Sequence, residues 1–267
     1  MNQAELRYEW ETIPWRKLEK TVFKLQKRIY QASLDGKNKL VHKLQRLLLK
    51  SHSAKLLATR KVTQDNRGKK TPGVDGITAI KPEERLELAN ELNLSKKPQP
   101  TRRVWIPKPG KKEKRPLGIP TIADRALQAL GKMALEPEWE AKFEENSYGF
   151  RPGRSCHDAI EAIFCNINRK RAYVLDADIA GCFDNINHDA LLEKLQTFPT
   201  FRKIIRNWLK AGVIDKNAFH NTESGTPQGG TISPLLANIA LNGLETDTKE
   251  AMLPLLKAYW KNNRRLS

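Results

Sequence analysis

Near the start of the chain apolar side chains return at every third or fourth position: Trp15, Leu18, Val22, Leu25 and Ile29, then Leu40, Leu44, Leu47 and Leu48. Lys and Arg fill the other faces, which commits the segment to amphipathic helices whose apolar sides must find a common core. The break between them falls near Asp35-Gly36, and the second helix is expected to run on toward Leu57. A stripe of this kind also suits an ordinary helical hairpin with solvated lysines.

Downstream the pattern changes. Val104-Trp105-Ile106 and Leu117-Gly118-Ile119 flank Pro109-Gly110, which predicts two short strands joined by a turn. That turn is basic: from Lys96 to Arg115 the chain carries Lys96, Lys97, Arg102, Arg103, Lys108, Lys111, Lys112, Lys114 and Arg115 against the single acid Glu113. Such a finger can reach out to phosphates. Thr121 with Asp124 marks the start of a helix through Ala134, and the loop Tyr148–Ser155 leads into another from about His157. Tyr173 to Ile179 is the strongest strand signal in the chain, and Phe201 to Lys210 reads as a helix closed by Gly212. Ser233-Pro234 caps a further helix to about Leu244. Strands interspersed with helices after a helical entry module predict an α+β fold, and 267 residues permit a small N-terminal unit followed by a larger one.

Charge narrows the partner. Lys plus Arg number 48 against 30 Asp plus Glu, a formal net charge of +18. Self-repulsion of that size makes most sense if a polyanion neutralises it, and nucleic acid is the obvious one. An acidic membrane surface would usually call for a lipidation signal or a long apolar run, neither of which is visible; no membrane partner is expected. The polar stretch from Met1 to Trp10 is unlike a signal peptide, so the expected location is cytoplasmic. Cys156, Cys165 and Cys182 lack zinc-site spacing and read as reduced thiols.

Two strings carry chemistry. The strand ending Asp176-Ala177-Asp178-Ile179 puts both carboxylates on one face, a common way to fix oxygens for a divalent ion, and Asp178 is the first-choice ligand. Phe183 follows, and Asp184 and Asp189 continue the acidic neighbourhood; Asp176 and Asp184 equally suit turn and helix caps. In Ser224-Gly225-Thr226-Pro227-Gln228-Gly229-Gly230, proline and glycines stiffen and then strip the backbone before a helix, which admits a flat ligand or serves as a structural connection. The loop Asn66–Gly76, with Lys69 and Lys70, suits either phosphates or a plain linker.

Taken together, Lys108 through Gln128, Ser147 through Ser155, Asp176 through His188 and Ser224 through Leu244 resemble the first four sequence blocks of group II intron reverse transcriptases, in that family's order. Leu25-Gln26-Lys27-Arg28-Ile29 and Thr71-Pro72-Gly73-Val74-Asp75-Gly76 are similar to the extension that precedes them. The resemblance covers roughly nine tenths of the chain. It implies a helical N-terminal extension over residues 1–95 and, over 96–267, the fingers and an incomplete palm of a right-hand polymerase. It also implies the roles. Asp178 and the Ile179 carbonyl would bind the magnesium ions of a two-ion site, and Asp178 would be the catalytic carboxylate. Lys108 and Arg115 would grip the triphosphate of a dNTP. Phe183 would crowd the 2′-hydroxyl position, and Gln228 with Pro227 and Gly229 would brace the nascent base pair. Arg151 and Arg154 would lie close to the template. The partners implied are group II intron RNA, an RNA template with a DNA primer, and dNTP.

One departure qualifies this. Family members continue with a hairpin carrying Tyr-Ala-Asp-Asp, and no Asp-Asp pair occurs anywhere in this chain. The expectation is therefore a truncated piece, magnesium site incomplete, that does not extend primers unless a C-terminal half complements it. The alternative is a non-catalytic RNA-binding protein that assists intron splicing.

Overall fold

The structure is a computed structural model that describes residues 9–110, 112–168, 174 and 176–263. The N-terminal stripes fold as read. Helix α1 spans Trp15–Leu34 and α2 spans Asn38–Lys50. Between them Gly36 takes φ +67 while the Lys37 N–H reaches Ala32 O at 2.9 Å and the Gly36 N–H reaches Ser33 O at 3.0 Å. Those two bonds satisfy carbonyls that a helix end leaves open. The second helix stops earlier than expected. The Ser51 hydroxyl accepts from the Ala54 N–H and opens a separate helix, α3, over His52–Arg60. A fourth helix, α4, spans Pro82–Glu91.

Helix α5, Ile122–Glu140, is the axis of the molecule. Thr121 caps it by accepting from the Asp124 N–H, and it runs beyond Ala134 through Pro137. It packs against α1, α2 and α3 and is buried on most sides. One hydrophobic core therefore joins Ile29 and Leu48 of the entry helices to Leu130 and Leu135 of α5, and continues to Phe201 and Ile205 further on. Two buried polar side chains bridge the entry helices to α5: Gln45 donates to Ala134 O and, at 2.6 Å, to the Glu138 carboxylate, and Ser33 Oγ donates to Glu138 O.

The sheet has four strands in the order β2-β1-β3-β4. Strands β1, Thr101–Pro107, and β2, Lys114–Ile119, form the antiparallel hairpin that the Pro-Gly turn predicts. Strands β3, Val213–Asp215, and β4, Ala218–His220, add a short hairpin, β3 lying parallel to β1. Its turn residues Lys216 and Asn217 have φ 48 and 68, the left-handed pair that a two-residue hairpin requires.

The remaining helices are α6 (Cys156–Ile167), α7 (Cys182–Asn185), α8 (His188–Leu195), α9 (Pro199–Leu209), α10 (Ser233–Leu241) and α11 (Leu244–Asn263). Helix α10 stops short of Leu244 because Gly243 turns left-handed at φ +99. Among the described residues no helix is long and apolar enough to cross a membrane.

The strand expected from Tyr173 to Ile179 requires correction. Val174 and Asp176 to Ile179 lie outside any strand and are exposed, while Tyr173 and Leu175 fall outside the described residues. A strand exists only where its N–H and C=O groups meet a neighbour, and among the described residues no strand pairs with this stretch. Helix α6, beside it in sequence, buries none of its residues. Its Ile160, Ile163, Phe164 and Ile167 stand 45–62% exposed.

Candidate functional site

The proline-glutamine turn is tied at both ends to the other blocks. The Thr226 N–H donates to Phe183 O at 2.7 Å, the Gly225 N–H to Ile186 O at 2.8 Å, and Ser224 Oγ to Asp184 O. His188, buried, places Nε2 2.7 Å from Gly225 O. On the other side the Gly118 N–H of β2 donates to Gln228 O at 2.9 Å, and Gln128 of α5 accepts from the Thr231 N–H. Three segments distant in sequence thus meet through backbone bonds, which hold position more rigidly than side-chain contacts alone.

Two glycines permit that approach. A Cβ on Gly225 would stand 2.7 Å from both Phe183 O and Asp184 O, and one on Gly229 would stand 2.7 Å from Gly118 O. Gly225→Ala also forces an alanine into φ +83. We expect it to cost about 2–4 kcal/mol in urea unfolding, the sum of left-handed strain and a forced backbone shift. Gly153→Ala, at φ +67 but in open space, should cost only about 1–2 kcal/mol. Equal losses for the two would show that the close approach carries no strain.

A cleft of about 340 Å³ opens where these segments meet, lined by Arg103, Gly118, Phe183, Asp184, Pro227 and Gln228 among others. Phe183, Pro227 and Gln228 therefore line one cleft. Phe150, exposed and at φ 56, sets its ring edge-on to Phe183 at 6.2 Å, and Asn238 of α10 donates to Gly149 O. The loop 148–155 joins the site by those contacts.

The arginines of that loop differ. Arg151 is buried: its guanidinium forks onto Glu140 at 2.9 Å and donates to Glu144 O and Ser147 O. This corrects its expected place beside a template, because its donors are spent inside the protein. Arg154 is more exposed, lies over the Tyr148 ring and bonds the carbonyls of Glu145 and Ser147.

The basic finger is presented outward. Lys108 begins the turn, Arg115 stands opposite Ile106 and is exposed, and Lys112 and Lys114 are exposed beside it. The second basic loop is anchored by two arginines, one of which, Arg125, carries no local signal in the sequence. Arg125 donates to Gly68 O and Thr71 O, and Arg102 donates to Pro72 O. Burial lowers the Arg125 pKa. Lys69 and Lys70 remain exposed on that loop, Lys69 donating to Gln64 O.

Asp178 and Ile179 are exposed, with Ile179 lining a second cleft beside Cys182, Asn185 and Lys194. Among the described residues no three His, Cys, Asp or Glu side chains gather closely enough to hold a metal ion. Among the described residues the donor set does not fit a two-ion magnesium site.

Glu144 is a positioning residue that composition hides. Its carboxylate accepts from the Gly243, Glu245 and Thr246 N–H groups and from Thr246 Oγ1, holding the start of α11. Desolvation works against its charge, yet those donors keep its pKa below the ordinary 4.5. A carboxylate depressed in the folded state contributes stability above its unfolded pKa and loses it as pH falls through the folded value. Hydrogen exchange at residues 243–246 should therefore accelerate as pH drops below about 4.5 once intrinsic rates are divided out, and Glu144→Gln should remove that pH dependence.

Comparison with known proteins finds two family matches. Residues 10–92 match the N-terminal domain of reverse transcriptase, and residues 106–261 match reverse transcriptase (RNA-dependent DNA polymerase). Protein YkfC of Escherichia coli strain K12 is 37% identical over 242 residues, covering 83% of this chain and 62% of its own. Group II intron-encoded protein LtrA of Lactococcus lactis subsp. cremoris is 46% identical over 151 residues, 55% of this chain and 25% of its own. Maturase-like protein 1 of Euglena gracilis is 32% identical over 251 residues, 88% and 52% respectively. The chain thus spans between a quarter and about three fifths of these relatives' lengths. With more than half of its residues matched in one block, and with the matched blocks meeting at one cleft, the chain belongs to the reverse transcriptase (RNA-dependent DNA polymerase) family.

Proposed function

We propose that this chain supplies the N-terminal extension, residues 1–95, and the fingers with part of the palm, residues 96–267, of a group II intron reverse transcriptase. It holds intron RNA through its basic surfaces. Joined to a C-terminal half, it copies an RNA template onto a DNA primer from dNTP. The observation that carries this reading is the meeting of β2, Phe183 and the Pro227-Gln228 turn around one cleft. The names of its relatives, an intron-encoded protein and a maturase-like protein, support the link to intron splicing.

In this reading Lys108 and Arg115 grip the triphosphate, Phe183 crowds the sugar edge, and Gln228 with Pro227 and Gly229 braces the base pair. Lys69, Lys70 and Arg154 follow the RNA strand. Asp178 contributes one carboxylate to a magnesium site whose other ligands come from elsewhere, so the chain alone does not extend primers. A second reading, a non-catalytic RNA-binding protein that assists splicing, is favoured by the missing carboxylate cluster among the described residues.

Primer extension in Mg²⁺ separates them. The chain is assayed alone and after mixing with a separately expressed C-terminal portion of a longer relative such as LtrA. Synthesis that arises on mixing and vanishes in Asp178→Ala supports the first reading. RNA binding without synthesis in the mixture supports the second.

A further inference from the structure

The β1–β2 turn contains the only acid between Lys96 and Arg115, and the fold sets that acid directly on the finger lysine. Glu113 Oε2 lies 2.9 Å from Lys108 Nζ, while the Lys108 N–H donates to Glu113 O at 3.0 Å. The backbone bond belongs to the hairpin, so the two side chains face each other by construction and not by a chance surface encounter. Both remain solvent-accessible, which leaves the pair open to exchange. Arg115, one residue past the hairpin partner of Pro107, is exposed on the neighbouring strand.

We propose that Glu113 tunes the finger's affinity for polyphosphate by acting as an internal competitor for Lys108. The inference rests on the reading of this hairpin as the triphosphate grip and adds a residue to it. A ligand phosphate exchanges with the Glu113 carboxylate for the same ammonium group. The exchange itself yields little, because an exposed ion pair is weak. The gain comes from the further phosphates that Arg115 engages. Once displaced, Glu113 stays close to the bound anion and repels it, so affinity is held below what the basic cluster alone would give.

The test is isothermal titration calorimetry with inorganic tripolyphosphate at low salt on the full chain, comparing wild type, Glu113→Gln, Lys108→Ala, Arg115→Ala and the Lys108→Ala/Glu113→Gln double variant. Glu113 is exposed and outside the core, so its replacement leaves the fold intact. Glu113→Gln should tighten binding about threefold to tenfold, a gain that shrinks with added salt. That gain should largely disappear in the Lys108→Ala background. Unchanged or weaker binding in Glu113→Gln overturns the proposal, as does an equal gain without Lys108. If Lys108→Ala and Arg115→Ala weaken binding while Glu113→Gln does nothing, only the competitor fails. If neither basic variant weakens it, the triphosphate grip fails and the competitor with it.

Discussion

Mixing this chain with a C-terminal portion of a longer relative is expected to switch DNA synthesis from undetectable to readily measured, and Asp178→Ala is expected to abolish it again. An exposed apolar face would be available to the added portion. Helix α6 exposes Ile160, Ile163, Phe164 and Ile167 on a face that nothing described covers, and Val174 is 74% exposed close by in sequence. Burying what these four half-exposed side chains still show to solvent contributes roughly 3–7 kcal/mol. Association itself costs about 4–15 kcal/mol, so this face would not suffice alone and a stable complex would need contacts elsewhere. Strand pairing is one source, since Asp176 to Ile179 is exposed and belongs to no strand among the described residues. A stable complex that binds template and primer yet makes no product would rule out catalytic completion. Co-sedimentation of the two halves, measured in parallel, distinguishes that result from a simple failure to associate.

What could be read from the sequence follows the range of the interactions involved. Helices α1 and α2 were legible because a helix repeats its apolar face within a few residues, and α5 was legible because Thr121 and Asp124 cap it locally. The β1–β2 hairpin announced itself through Pro109-Gly110. Strands β3 and β4 did not, since three residues each are too few for any period and β3 depends on a parallel neighbour more than a hundred positions away. The converse case has the same origin: the apolar run ending at Ile179 has a strand's composition, yet among the described residues no strand pairs with it. At the site, Phe183, Pro227 and Gln228 stood out by residue type and spacing. Arg125, Gln128 and Glu144 did not, because each acts by bonding a distant backbone group, which leaves no local signature. Arg151 shows the limit from the other side, a residue given a place by the family resemblance that the fold uses on Glu140.

RNA affinity should fall by roughly 10³-fold between 50 and 200 mM monovalent salt, the loss expected when about six phosphates are neutralised and their counterions released. Six is a modest demand on this surface. The finger offers Lys108, Lys112, Lys114 and Arg115, and the loop anchored by Arg125 offers Arg67, Lys69 and Lys70, all outside buried positions. Fluorescence anisotropy of a labelled RNA across a salt series gives the slope directly. Lys69→Ala and Lys70→Ala should each reduce it by somewhat less than one, whereas Phe150→Ala should weaken binding without changing it, because stacking releases no counterions. The net charge of +18 would otherwise be an unexplained cost, since like charges held within one folded chain repel. A slope near zero would mean that RNA is held by stacking or shape alone, and neither basic loop would then have a phosphate to meet.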